Sequence, residues 1–211
     1  MSRNPASYLA SLGLALTMVA SPSLAQDATP PPGEVIPAAE CQVEPRGIDE
    51  IEQILAAADE GEAAGTPEMA ELGSMKGEPA DDATAQAVTE TYRQLVACLN
   101  AGDYLRIYAL YSDDYLRRTL GERDEELETL LATPTPREEG GTALVGVRDV
   151  RTIDGDRVVA RIETFDPSPG AITVADAVLV VEGDQYLIDA ETVADVATES
   201  TPVPGATPDG A

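Results

Sequence analysis

With no histidine and no tryptophan among its 211 residues, this chain has no motif that commits to a reaction, and carboxylates and phenols are its leading acid–base candidates. Seven tyrosines, two cysteines and a large excess of acids remain. A tyrosine can donate a hydrogen bond or a proton, but on an apolar helical stripe it more commonly belongs to the core with its hydroxyl at the rim. Asp176 is the only acid in the run Ile172, Val174, Val178, Val180. Turned among apolar neighbours, its carboxyl would be pushed to higher pKa and could serve as a general base. Asp113-Asp114 and Asp154-Gly155-Asp156 lack the alternating oxygen ligands of a calcium loop and are explained as a helix start and a turn. We therefore expect no metal and no cofactor.

How Cys41 and Cys98 should be read depends on where the chain works. Arg3 is followed by an apolar run over residues 8–20, and Ser23-Leu24-Ala25 places small residues where a signal peptidase reads. This pattern predicts a secretory signal peptide, residues 1–25, cleaved near Ala25. An uncleaved anchor would need about 20 apolar residues to cross hydrocarbon, and this run is shorter. No cysteine directly follows the cleavage point. The expectation is a secreted, extracytoplasmic chain with no stable membrane anchor. In an oxidising compartment two thiols most simply form one disulfide, whereas two free thiols or a catalytic thiol lacking any histidine are the alternatives.

Losing the leader would remove Arg3 and no acid, taking the formal charge from -26 to -27. Such a field repels phosphate backbones and anionic lipid heads, so nucleic acid is not an expected partner. A solvated exterior explains these acids more simply than cation binding does.

Five segments follow. After the leader, residues 26–40 contain Thr29-Pro30-Pro31-Pro32-Gly33 and read as a disordered linker. Residues 41–81 form an arm, with a short helix at 47–58 carrying Ile48, Ile51, Ile54 and Leu55 at helical spacing, then a flexible stretch over 61–79. The domain itself spans 82–193, and 194–211 reads as a disordered tail. Within the domain, Asp81 or Asp82 can cap a helix whose stripe is Val88, Tyr92, Leu95, Val96 and Leu99, with Gly102 as its stop. Cys98 lies at the edge of that stripe, within reach of an arm. Helices over 104–111, 113–120 and 122–131 follow. The period then changes: Asp154-Gly155 and Glu182-Gly183-Asp184 are hairpin turns, and four strands in succession predict an antiparallel meander.

The residues Leu95-Val96-Ala97-Cys98-Leu99-Asn100-Ala101-Gly102-Asp103, then Leu110-Tyr111-Ser112-Asp113-Asp114-Tyr115, resemble the opening helices of the nuclear transport factor 2-like superfamily, which includes SnoaL-like polyketide cyclases. Residues 180–189, Val-Val-Glu-Gly-Asp-Gln-Tyr-Leu-Ile-Asp, are similar to that superfamily's last hairpin, with Tyr186 where a tryptophan is usual. The resemblance implies an α+β fold: N-terminal helices packed in the concave face of a curved antiparallel β-sheet, a cone with a pocket at its open end. It also implies that Tyr186 and Ile188 face inward. Strict alternation then lines the inside with Ala175, Ala177, Leu179, Val181, Tyr186, Ile188 and Ala190, and with Val158, Ala160, Ile162 and Thr164. The expected pocket draws on Tyr92, Tyr108, Tyr115, Ile162, Ala177, Leu179, Tyr186 and Ile188. On this facing Asp176 points outward, unless the register slips by one residue, and the lining holds no carboxylate.

The last hairpin is also apolar on its outer face, through Ile172, Val174, Val178, Val180 and Leu187, so either the arm or a second copy of the chain should cover it. The resulting expectation is an exported, non-enzymatic domain that binds a small apolar or amphipathic ligand or acts as an interaction module. The alternative is a small isomerase, dehydratase or cyclase of the SnoaL-like type using Asp and Tyr for acid–base work, because that superfamily holds both enzymes and catalytically silent modules.

Overall fold

The computed structural model describes residues 33–57, 76–120, 134–137, 140–168 and 170–198, with side chains as far as 193. The expected signal peptide, the helix at 122–131 and the tail beyond 198 lie outside the described residues. Helices α1 (Ile48–Ala56), α2 (Asp82–Ala101), α3 (Tyr104–Tyr108) and α4 (Asp113–Leu120) lead into a sheet. Its long strands are β3 (Ala143–Asp154), β4 (Arg157–Asp166), β5 (Ala171–Glu182) and β6 (Gln185–Thr198), while two short strands, β1 (Glu34–Val35) and β2 (Glu78–Pro79), both pair with β3. All pairings are antiparallel and the long strands follow chain order. The chain is thus α+β, with an open antiparallel six-stranded sheet.

Local chemistry explains where the elements start and stop. The Asp81 carboxylate accepts the Thr84 N–H at 2.8 Å and caps α2. Gly102 ends the helix at φ 63°, and a Cβ there would also collide with the Thr135 carbonyl. Gly183, at φ 63°, supplies the left-handed backbone that the two-residue turn between β5 and β6 requires. Val88, Tyr92, Leu95 and Val96 of α2 pack against Val158, Ala160, Ile162, Ala177, Leu179 and Ile188, so helices cover one face of the sheet. Each such aliphatic side chain, once buried, contributes about 1.5–3 kcal/mol.

The arm is strapped to the helices. Cys41 and Cys98 form a disulfide with Cα atoms 4.7 Å apart. Arg106 donates to the carbonyls of Cys41 and Val43 at 3.2 and 2.7 Å, and Arg46 reaches Asp113 at 2.5 Å and the Tyr111 carbonyl at 3.2 Å. Ile51 and Ile54 of α1 are buried in the same core as α2. The described part of the arm up to residue 57 therefore packs on the helical side and not on the outer sheet face. There Arg161 and Asp176 form a bidentate pair at 2.9 and 3.1 Å, beside a small cluster of Val178 and Ala190.

Three boundaries differ from expectation, each because backbone pairing or a buried side chain outweighs local composition. Residues 33–40 are not a disordered linker: β1 pairs with Ala143 and Leu144, Ile36 is 1% exposed, and Arg93 bonds Glu34 and Glu40. The flexible stretch ends early because Glu78 and Pro79 pair with Thr152 and Arg151. At the other end, β6 runs through residues 194–198 because β5 presents Ala171–Val174 as partners. Asn100, 5% exposed, ties the first of these segments down: its amide donates to the carbonyls of Ile36 and Thr142 at 2.8 and 3.0 Å, and its oxygen accepts the Thr142 N–H at 2.8 Å.

Candidate functional site

A cavity of about 370 Å³ lies between α2, the covered face of the sheet and the start of α4. One wall is the helical stripe Tyr92, Leu95, Val96 and Leu99, whose spacing of three, one and three residues keeps all four side chains on one face. The sheet supplies Ile162, Thr164, Thr173, Ala175, Glu191 and Val193. Tyr111 and Tyr115 close the end nearest α4.

Tyr111 reaches the cavity because the chain between α3 and α4 extends the sheet edge. Ser112 N–H donates to the Ile188 carbonyl at 2.9 Å and Ile188 N–H to the Leu110 carbonyl at 2.8 Å, a parallel bridge that sets Tyr111 beside Ile188.

Glu191 reaches it through a β-bulge. Leu179 pairs with Ile188 but Val178 pairs with Ala190, so Asp189 is an extra residue without a partner on β5. Before the bulge the even-numbered residues Tyr186 and Ile188 face the helices; after it Glu191 and Val193 do, and Glu191 stands opposite Ala177. Ala190, expected inside opposite Ala177, instead joins Val178 on the outer face. The expectation of a lining without a carboxylate is overturned by this one-residue insertion. Asp189 is gripped from both ends of α4, by Ser112 just before it and Arg118 in its last turn. Ser112 Oγ accepts the Tyr115 N–H at 3.0 Å and donates to Asp189 Oδ1 at 2.6 Å, and Arg118 bonds the Asp189 carbonyl.

The polar end of the cavity is thus one carboxylate and three phenols. Tyr92 donates to Glu191 Oε1 at 2.9 Å and Tyr111 to Oε2 at 3.3 Å, while Tyr111 and Tyr115 stack with ring centroids 4.5 Å apart. Burial raises the pKa of the Glu191 carboxyl, and the two phenolic hydrogen bonds, which favour the charged form, do not outweigh it. Burial, then the Glu191 charge, pushes Tyr92 and Tyr111 well above the usual phenol range, and the same causes push Tyr115 to about 12. The phenols are therefore hydrogen-bond donors at neutral pH and not phenolate bases.

Because the folded carboxyl has the higher pKa, Glu191 binds its proton more tightly folded than unfolded. Its contribution to stability is complete below the unfolded glutamate pKa and is lost as pH rises through the folded one. Glu191→Gln should accordingly melt at about the same temperature as the parent in acid and above it at neutral pH. Paired melting curves from pH 4 to 8 check this, and a gap that narrows with rising pH would contradict it.

Of the pocket residues expected from the sequence, Tyr92, Tyr115 and Ile162 line this cavity. Tyr108 lines a separate one of about 220 Å³ beside α4, which Tyr111 and Tyr115 also border. Tyr186 borders a third, of about 210 Å³, beside Ala87–Gln94 of α2, with its hydroxyl 3.5 Å from Thr84 Oγ1. Ala177, Leu179 and Ile188 are fully buried core. The residues that sequence reasoning missed are Tyr111 and Glu191. Tyr111 was visible as one more phenol beside a helix start, but Glu191 reads as an outward residue under strict alternation, and no glycine in β6 flags the bulge. Among the described residues no group of three or more acids or cysteines is arranged to hold a metal, and no helix is long and apolar enough to cross a membrane. No protein-family model, no curated protein and no solved structure matches this chain.

Proposed function

We propose that this is an exported domain of the nuclear transport factor 2-like cone type that holds a small amphipathic ligand in the cavity between α2 and the sheet. The observation that carries this reading is the cavity's division into a long apolar wall and a single polar end at Glu191, the pattern of small-molecule sites. About 370 Å³ falls within the usual ~300–1,000 Å³ range of such sites. The Cys41–Cys98 disulfide suggests an oxidising, extracytoplasmic environment, which agrees with export through a signal peptide.

Native mass spectrometry of protein purified from its own host tests the reading, with Ala175→Phe as control. Ala175 lines the cavity opposite Ile162 and Val193, so a phenyl ring there should fill it. The parent should retain a small molecule, and the variant should lose it while melting within about 3 °C of the parent. Equal retention by both proteins would place the ligand elsewhere.

Glu191 supports a second reading, acid–base catalysis of the SnoaL-like isomerase, dehydratase or cyclase type. A desolvated carboxyl beside phenolic donors has the components for moving a proton. Turnover of an enolisable ketone by the parent, abolished in Glu191→Gln, would replace the binding reading with this one.

A further inference from the structure

We infer that the ligand class of this cavity is an organic cation: a protonated or quaternary amine with an apolar body, its charged end against Glu191 and the tyrosine rings. The inference rests on the ligand-binding reading above and adds the sign of the ligand's charge. Three observations carry it.

The first is an unbalanced charge. The described partners of the Glu191 carboxylate are two phenols, with no arginine or lysine among them, and no cationic side chain appears among the described residues lining the cavity. A carboxylate removed from water is costly unless it is paired. The arginines that bond residues of or beside the site are already engaged: Arg118 with Asp189, Arg46 with Asp113 and Arg137 with Asp166. A cationic ligand supplies the missing partner.

The second is unused acceptor capacity. A carboxylate has roughly four lone-pair positions, and the two phenolic hydroxyls occupy two of them. Glu191 is half-buried rather than sealed, so a ligand N–H can approach the remaining positions from the cavity side.

The third is the material of the walls. Three phenol rings, Tyr92, Tyr111 and Tyr115, line the polar end around the carboxylate. Aromatic faces attract ammonium groups, and several of them around one site discriminate a cation from a neutral group of the same size. Leu95, Leu99 and Ile162 then receive the hydrocarbon portion. The strongly acidic chain, formally -26, raises the local concentration of cations around the protein.

The test is isothermal titration calorimetry with three ligands on one carbon skeleton: cyclohexylmethylamine, cyclohexylmethanol and cyclohexanecarboxylate. All are titrated at pH 7 and physiological ionic strength into the intact protein and into Glu191→Gln. The amine should bind the parent at least about tenfold more tightly than the alcohol, and the carboxylate not at all. In Glu191→Gln the amine should fall to the level of the alcohol. If the alcohol or the carboxylate binds as tightly as the amine, the charge assignment is wrong and the ligand-binding reading survives. If the preference for amine persists in Glu191→Gln, the general acidity of the surface attracts it, and the site assignment is overturned. If none of the three binds and none displaces a neutral solvatochromic dye, the ligand-binding reading falls and the cation assignment falls with it. The three-ligand comparison on the parent needs no variant to fold.

Discussion

Asn100→Ala is expected to remove about 3–6 kcal/mol of folding stability, a large share of the ~5–15 kcal/mol that a domain possesses. The figure follows from what the side chain leaves behind. Truncation strips partners from the Ile36 and Thr142 carbonyls and from the Thr142 N–H, all at a position 5% exposed. Each orphaned buried group costs about 1–3 kcal/mol, and water has little room to replace the amide. Gly141 lies directly against it: a Cβ there would meet Asn100 side-chain atoms at 2.8 Å. The expected measurement is a urea midpoint shifted to lower concentration at unchanged slope. Asn100→Asp sharpens the test, because it keeps the acceptor for Thr142 N–H but aims an oxygen at two carbonyls. It should be at least as destabilising at neutral pH, and a midpoint equal to the parent's in either variant would refute the assignment.

Opening the Cys41–Cys98 disulfide is the second large effect, expected to be about 4 kcal/mol. The bond joins residues 57 apart, and the chain-entropy model gives that figure for constraining a loop of this length. The fold should nevertheless survive, since Arg106, Arg46 and the buried side chains of Ile36, Ile51 and Ile54 hold the same arm by other means. Cys41→Ala with Cys98→Ala, which avoids burying a new hydroxyl where Cys98 has no exposure, should lower the urea midpoint without abolishing the transition. Reductant should do the same to the parent and nothing further to the double variant. A parent insensitive to reductant would show that the arm is held without the covalent bond.

Much of the frame was legible in residue order. The stripe Tyr92, Leu95, Val96 and Leu99 carries its own period, and all four side chains line the cavity. Caps at Asp81 and Gly102 and the turn at Gly183-Asp184 are local devices whose chemistry is complete within a few residues, while the turn expected at Asp154-Gly155 falls one residue later, at Gly155-Asp156, because Asp154 pairs with Arg157. The disulfide followed from two cysteines and an expected export signal. The short strands were not legible. Glu34–Val35 and Glu78–Pro79 have no pattern of their own and exist because the edge of β3 was available to them.

The candidate site divides the same way. The absence of histidine put carboxylates and phenols first as acid–base candidates, and helical period alone chose Tyr92 and its apolar neighbours. Which carboxylate enters the cavity was decided elsewhere in the chain. The bulge at Asp189 exchanges the two faces of β6, and it is held by Ser112 and Arg118, 77 and 71 residues away. Strand alternation is a local rule with a period of two, and one inserted residue reverses it until the next register shift, here between Val193 and Asp195. Whether that residue is tolerated depends on a partner that only the folded chain brings to it.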